Sequence, residues 1–170
     1  MSIYSIISDS KIQSDLSDCF KNRNLEQKFL YHWKWAKLYY NYKDNKDILM
    51  KWNNKDIDIF EFWIKNCFKK EWSISLVSLW CWNSSVEKNI YTRLPDNYTV
   101  DYVWVDLSKE MLKLSETNLK DIDIDKKFVC ADFSSIEFKN EIHNITKRKQ
   151  KRIFSFFSNT FWNINHTNII

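Results

Sequence analysis

The sequence predicts an α/β fold: a parallel sheet with helices on its faces. Two short apolar runs and the acid that ends the second carry this prediction. Ile74, Leu76, Val77 and Leu79 form a run bounded by polar residues, as a buried strand requires. Val100 to Val105 forms a second run and ends on Asp106. Between them Val86, Ile90 and Leu94 recur at i, i+4 and i+8, one face of a helix starting at Ser85. About 24 positions separate Trp82, in the turn after the first strand, from Asp106. That is close to the spacing at which dinucleotide-type sheets place a carboxylate beside a ribose.

The remaining elements follow in chain order. Residues 1–23 are polar and are expected to be partly ordered at best. Leu25 to Tyr42 carries apolar residues at helical spacing, and Asp56 to Lys69 is an amphipathic helix with Ile57, Phe60, Ile64, Cys67 and Phe68 on one face. Ser108 caps a helix that buries Met111, Leu112 and Leu119. Lys127 to Ala131 reads as a third strand, 134–150 as a polar helix or loop, and Ile153 to Phe157 as a fourth, fully buried strand. The single proline, Pro95, falls between the first helix and the second strand, where a turn belongs.

Composition narrows the function classes. At 170 residues and 20.8 kDa the chain can bury a sizeable core, and 44% hydrophobic residues exclude disorder by composition. A net charge of +4 implies no nucleic-acid partner by itself. The basic run Lys147, Arg148, Lys149, Lys151 and Arg152 reads first as a solvated loop and second as a phosphate-contacting patch. Cys19, Cys67, Cys81 and Cys130 are scattered without a Cys-x-x-Cys pair, which argues against a metal site or a disulfide scaffold and for a reducing compartment. His32, His143 and His166 form no ligand pattern. No basic region followed by a long apolar stretch opens the chain, and no apolar run reaches the ~20 residues that span a bilayer. The expectation is a soluble, cytoplasmic protein.

Glycine is the anomaly. Roughly 12 would be usual in a chain of this length, and there are none, against nine tryptophans.

Val-Ser-Leu-Trp-Cys-Trp-Asn-Ser (77–84) resembles the first motif of the S-adenosylmethionine-dependent methyltransferases, Asp-Leu-Gly-Cys-Gly-Asn-Gly, with Trp80 and Trp82 on the first two glycines. Tyr102 to Leu112 is similar to their second motif, with Trp104 on another frequent glycine, and Phe128 to Phe133 is similar to the third. Phe154 to Asn163 resembles the fourth strand and loop of the histidine-specific branch, where Trp162-Asn163 sits on a Gly-Asn pair. Lys28 to Ala36 is similar to that branch's N-terminal glycine-containing segment. The matches cover most of 28–163, and their order is more specific than any one of them.

The resemblance implies a Rossmann-like methyltransferase sheet with parallel strands ordered 3-2-1-4, flanking helices and an N-terminal helical segment. Residues 1–70 are expected to be that substrate-side segment, and 71–170 the first half of a cofactor-binding domain whose C-terminal half is missing. It implies S-adenosyl-L-methionine as cofactor, bound by Trp80, Cys81, Trp82, Asn83, Asp106, Leu107, Asp132, Phe133 and Asn159. Asp106 would receive the ribose diol, Asp132 the adenine amino group, and Phe133 would pack on the ring. The other reading of Asp106 is a helix-start carboxylate. Asn163 would meet a small-molecule methyl acceptor, a small amine such as an amino acid. Methyl transfer from a sulfonium is an in-line displacement that needs no metal and rests on alignment and exclusion of water. Ser78 replaces the acid often found before the first glycine, and Ser84 replaces the third glycine.

Tryptophan at the family's glycine positions has two readings. One is that it stands in for glycine throughout, as when UGA specifies glycine and is read as tryptophan. The other is a real tryptophan-rich chain with an obstructed cleft, that is, a catalytically inactive Rossmann-like scaffold. A basic, aromatic-rich nucleic-acid-binding module is a third.

Overall fold

The computed structural model describes residues 3–26, 28–29, 55, 57–59, 61–62, 73–81, 83–94, 99–146 and 151–156. Five strands form one sheet: β1 (Tyr4–Ser5), β2 (Ser73–Leu79), β3 (Thr99–Asp106), β4 (Asp125–Cys130) and β5 (Lys151–Ser155). Their order is β1-β4-β3-β2-β5, and every pairing is parallel. The segment β4-β3-β2-β5 is the 3-2-1-4 order that the resemblance implies. The helices are α1 (Asp9–Lys21), α2 (Ser85–Tyr91), α3 (Lys109–Asn118) and α4 (Ile136–Ile145).

A parallel sheet covered on both faces needs strands apolar on both sides. In β2 every residue after Ser73 is buried, and in β3 every residue after Thr99. One face packs Leu76, Tyr102, Trp104, Phe128 and Cys130 against Leu112 of α3 and Leu119 just beyond it. The other packs Val77, Leu79, Val103, Val105 and Val129 against Phe138, Ile142 and Ile145 of α4. Serines fix three helix starts: Ser8, Ser108 and Ser135 accept from the backbone N–H groups of Lys11, Met111 and Phe138.

Three expectations change. Residues 3–23, the described part of the 1–23 stretch, are ordered: β1 pairs with β4 at the sheet edge, and α1 buries Ile12 and Cys19 in a cluster with Phe29 and Leu107. A helical face of Ile12, Leu16 and Cys19 behind a serine cap provides what polarity by count concealed. The 134–150 stretch resolves into α4 where it is described. The fourth strand is not fully buried, because β5 pairs only with β2 among the described residues; Ser155 is buried and Phe154 is exposed. Of the expected 56–69 helix, the described residues 57–59 and 61–62 are helical, and Ile57 packs on Val86 and Ile90 of α2. Leu25 to Tyr42 lies largely outside the described residues.

Candidate active site at the carboxyl edge of the sheet

The chain runs from β2 to β3 to β4 on one side, then returns to place β5 on the other side of β2. The point where strand order reverses, at the carboxyl ends of β2 and β5, is where open α/β sheets form their ligand crevice. The turn that leaves β2 there is residues 80–84.

Trp80 and Ser84 both have φ of 59°, the left-handed region that favours glycine. Among the described residues only Arg23 joins them. Trp80 N–H donates to the carbonyl of Val105 at 2.8 Å, and Ser84 N–H to that of Cys81 at 3.0 Å, so the turn is tied to the end of β3 and closed on itself. Ser84 begins α2 without a side-chain capping bond. The half-buried Trp80 ring lies 6.2 Å from that of Phe133, which meets Phe156 edge-on at 5.7 Å.

Of the other expected site residues, Asp106 is buried at the end of β3, and its Oδ1 accepts from Ser108 N–H at 2.8 Å. The helix-start role is therefore filled, in a position that also faces the crevice end of the sheet. Asp132 follows β4, one strand over: Ala131 N–H donates to the Asp106 carbonyl at 3.1 Å. Asp132 Oδ1 accepts from Ser134 N–H at 3.0 Å and from Ser134 Oγ at 2.6 Å, while Oδ2 accepts from Lys28 Nζ at 2.7 Å. Burial pushes the Asp132 carboxyl up, but the bonds from Lys28 and Ser134 outweigh it and hold it below its ordinary value. Leu107 is half-buried and packs on the α1 cluster. Asn83 stabilises the turn, its Oδ1 accepting from Ser85 N–H at 3.2 Å and its carbonyl from Asn118 Nδ2 at 2.8 Å.

Cys81 points into the core, with Sγ 3.9 Å from Ser115 Oγ. Burial, then the charges of Asp106 and Glu87, pushes its thiol well up, so it is an inert core group and only its backbone belongs to the turn. Trp82, Asn159 and Asn163 lie outside the described residues. So do Lys147 to Lys149; Arg152, at the start of β5, contacts His143.

Sequence reasoning missed two site residues. Lys28, which also pairs with Glu26 at 2.9 Å, reaches Asp132 from 104 positions away, and nothing in a single sequence signals such a pair. Glu87 is buried in α2 and accepts from Ser78 Oγ at 2.5 Å. Its signal was present, since Glu87, Tyr91 and Leu94 share the inward face at i, i+4 and i+7.

Asp106 and Asp132 offer acceptor oxygens and Phe133 a ring face, of the kind an adenosine group would use. At residue 80 the fit fails, because a Cβ and an indole stand where the left-handed backbone calls for a bare Cα.

No known protein family matches the chain, and no curated protein matches it. Solved structures do. The chain is similar to the plantazolicin methyltransferase BpumL in complex with SAH, at 18% identity and a TM-score of 0.45, over 74% of this chain and 45% of that one. It is also similar to that methyltransferase with SAH and a pentazolic desmethylPZN analog, at 18% identity and a TM-score of 0.45, over 73% of this chain and 44% of the other. The chain thus spans less than half the length of these neighbours. Among the described residues, no helix is long and apolar enough to cross a membrane.

Proposed function

We propose that the carboxyl edge of this sheet is a site for S-adenosylmethionine and that the chain serves methyl transfer to a small amine such as an amino acid. One observation carries the reading. At the strand-order switch, the two described positions that align with glycines of the first motif, 80 and 84, are both left-handed, with Asp106 one strand away. The sequence resemblance alone did not require that backbone. Asp106 takes the ribose diol, Asp132 the adenine amino group and Phe133 the ring face, while the backbone of Cys81, Asn83 and Leu107 lines the approach. Asp132 retains capacity for a further donor: a carboxylate has about four acceptor sites, and three donors from Lys28 and Ser134 occupy it. The amine acceptor rests on the resemblance of 154–163, with Asn163 as its polar contact and Asn159 on the cofactor.

The inactive-scaffold reading has its own support in the Trp80 ring, which occupies the neighbourhood of Phe133. Calorimetric titration of S-adenosylmethionine into the chain and into Trp80→Gly/Trp82→Gly separates the two. The methyl-transfer reading expects micromolar binding by the double variant, at least about tenfold weaker binding by the parent, and loss on adding Asp106→Ala; about tenfold corresponds to 1.4 kcal/mol. Absence of binding to both proteins would leave the scaffold.

A further inference from the structure

α2 has seven residues, fewer than α1, α3 or α4, and a helix that short does not hold without tertiary support. Val86 and Ile90 give it an apolar contact with Ile57 and Leu94. Three polar ties lie at the surface or half-buried, where water competes for them. Lys88 Nζ donates to the Asn118 carbonyl at 3.0 Å, Tyr91 Oη to that of Asp123 at 3.3 Å, and Arg93 pairs with Asp58 at 2.9 Å. One tie is buried. Glu87 is 2% exposed, and its Oε1 accepts the Ser78 hydroxyl at 2.5 Å, which fastens α2 to β2 directly behind the 80–84 turn. No cation faces that carboxyl among the described residues. The turn brings the Cys81 thiol and β3 the Tyr102 phenol, both kept protonated by burial, and Tyr102 Oη makes no hydrogen bond among the described residues. α3 brings Ser115, beside Cys81, and the end of β3 brings another acid, Asp106. Asp58 and Glu61 are held at the surface by Arg93. The basic groups of β4 and β5 turn elsewhere: Lys126 to the Leu119 and Ile122 carbonyls, Lys127 to that of Ile145, and Arg152 to His143 on the far face. A negative charge on Glu87 is therefore relieved only by water that enters when α2 lifts.

We propose that Glu87 makes α2 and the 80–84 turn a pH-gated flap: protonated, it locks the helix onto β2, and ionised, it drives the helix to lift from the sheet. The device belongs to the chain with no ligand bound and stands apart from the methyl-donor reading. Burial pushes the Glu87 carboxyl up from 4.5 to about 7 while the helix is seated. The seated helix thus holds the proton more tightly than the lifted one. Lifting grows as pH climbs from about 4.5 through 7 and levels off above it, once both forms are ionised. The Ser78 hydroxyl works in the opposite sense, since it donates to the carboxylate and holds the value down. The backbone bonds that report the motion are those that seat the helix on the turn: Ser84 N–H to the Cys81 carbonyl at 3.0 Å, Lys88 N–H to that of Ser84 at 3.0 Å, and Thr92 N–H to that of Lys88 at 3.2 Å.

The test is amide hydrogen exchange of the full chain, read by mass spectrometry from about pH 5.5 to about pH 8.5 and corrected for the intrinsic exchange rate at each pH. Opening of residues 84–92 should rise about thirtyfold across this window, with most of the rise complete by about pH 7.5. α4 lies on the other face and carries His143, the one histidine among the described residues, so it is the internal reference and should not follow. Glu87→Gln keeps an oxygen for Ser78 without the charge, and its α2 should open equally at both ends of the window. Ser78→Ala should keep the rise and move its plateau to higher pH. Opening of α2 that does not vary with pH overturns the proposal, as does a rise that persists in Glu87→Gln or that α4 shares equally. Should Glu87→Gln not fold, the parent and Ser78→Ala still decide, because a plateau that stays in place without the Ser78 hydroxyl overturns it. No methyl donor enters these measurements, so their failure is distinct from a failure of the titrations with S-adenosylmethionine.

Discussion

Replacing Trp80 by glycine and by alanine tests whether position 80 is a glycine position in physical terms. With φ of 59°, any residue bearing a Cβ is strained there, by about 1–2 kcal/mol. Both variants lose the tilted contact with Phe133 at 6.2 Å, worth about 0.5–1.5 kcal/mol. Only glycine also releases the backbone. Against this, glycine gives the unfolded chain extra freedom, which ordinarily makes it about 0.5–1 kcal/mol worse than alanine. Strain relief exceeds that penalty, so Trp80→Gly should be more stable than Trp80→Ala by about 1 kcal/mol, the reverse of the usual order. It should also lie within about 1 kcal/mol of the parent, since relief and lost ring contact nearly cancel. Urea unfolding followed by far-ultraviolet circular dichroism reads both differences. Alanine equal to or above glycine would refute the strain argument and with it the case for a glycine-type turn.

Two further outcomes follow from the buried charges. Raising the Glu87 carboxyl from 4.5 to about 7 means that ionising it costs about 3 kcal/mol of folding stability. The folded state holds the proton more tightly than the unfolded chain, so stability falls as pH climbs from about 4.5 through 7. Glu87→Gln keeps an oxygen for Ser78 and should remove that fall, so its advantage over the parent should grow with pH in urea titrations; a constant offset would sink the assignment. Asp132 carries the opposite sign, since its carboxyl is held below its ordinary value. Lys28→Ala should cost about 1–2 kcal/mol near neutral pH, by leaving a partly buried carboxylate short of its partner, and that cost should disappear as the pH drops through the Asp132 titration. A cost that survives in acid would show that Lys28 acts through packing alone.

The sheet was legible in the sequence because its two central strands are buried on both faces. Ile74, Leu76, Val77 and Leu79, then Val100, Tyr102, Val103, Trp104 and Val105, make two apolar runs too short for a helix. The Ser108 cap and the 3.6-residue period of α2 and α3 were legible for the same local reason. β1, two residues long, was not. The fourth strand was foreseen at 153–157, but not its exposure, which follows from β5 having only β2 beside it among the described residues. α1 was hidden by the polarity of Asp9 to Lys21, although its three inward positions were correctly spaced. In the site, a carboxylate ending a strand could be foreseen at Asp106. The Lys28–Asp132 pair could not, since it joins the N-terminal segment to the loop after β4 through tertiary placement alone.

The tryptophans at 80 and 104 both align with glycines, yet the structure treats them in opposite ways. Trp104 is fully buried on β3, stacked between Tyr102 at 4.2 Å and Phe128 at 5.2 Å. Its indole N–H has no partner among the described residues, which costs about 1–3 kcal/mol. Burying some 200 Å² of ring contributes roughly 5 kcal/mol in return, so packing wins and the strand holds the indole at a net gain. A glycine at 104 would leave a void between two aromatic rings unless α3 moved toward the sheet. At 80 the balance runs the other way: a half-buried ring gains little and the backbone is strained. Aligned motifs alone cannot separate these two positions. Backbone angle and burial do, and they place the stronger demand for glycine at the turn after β2.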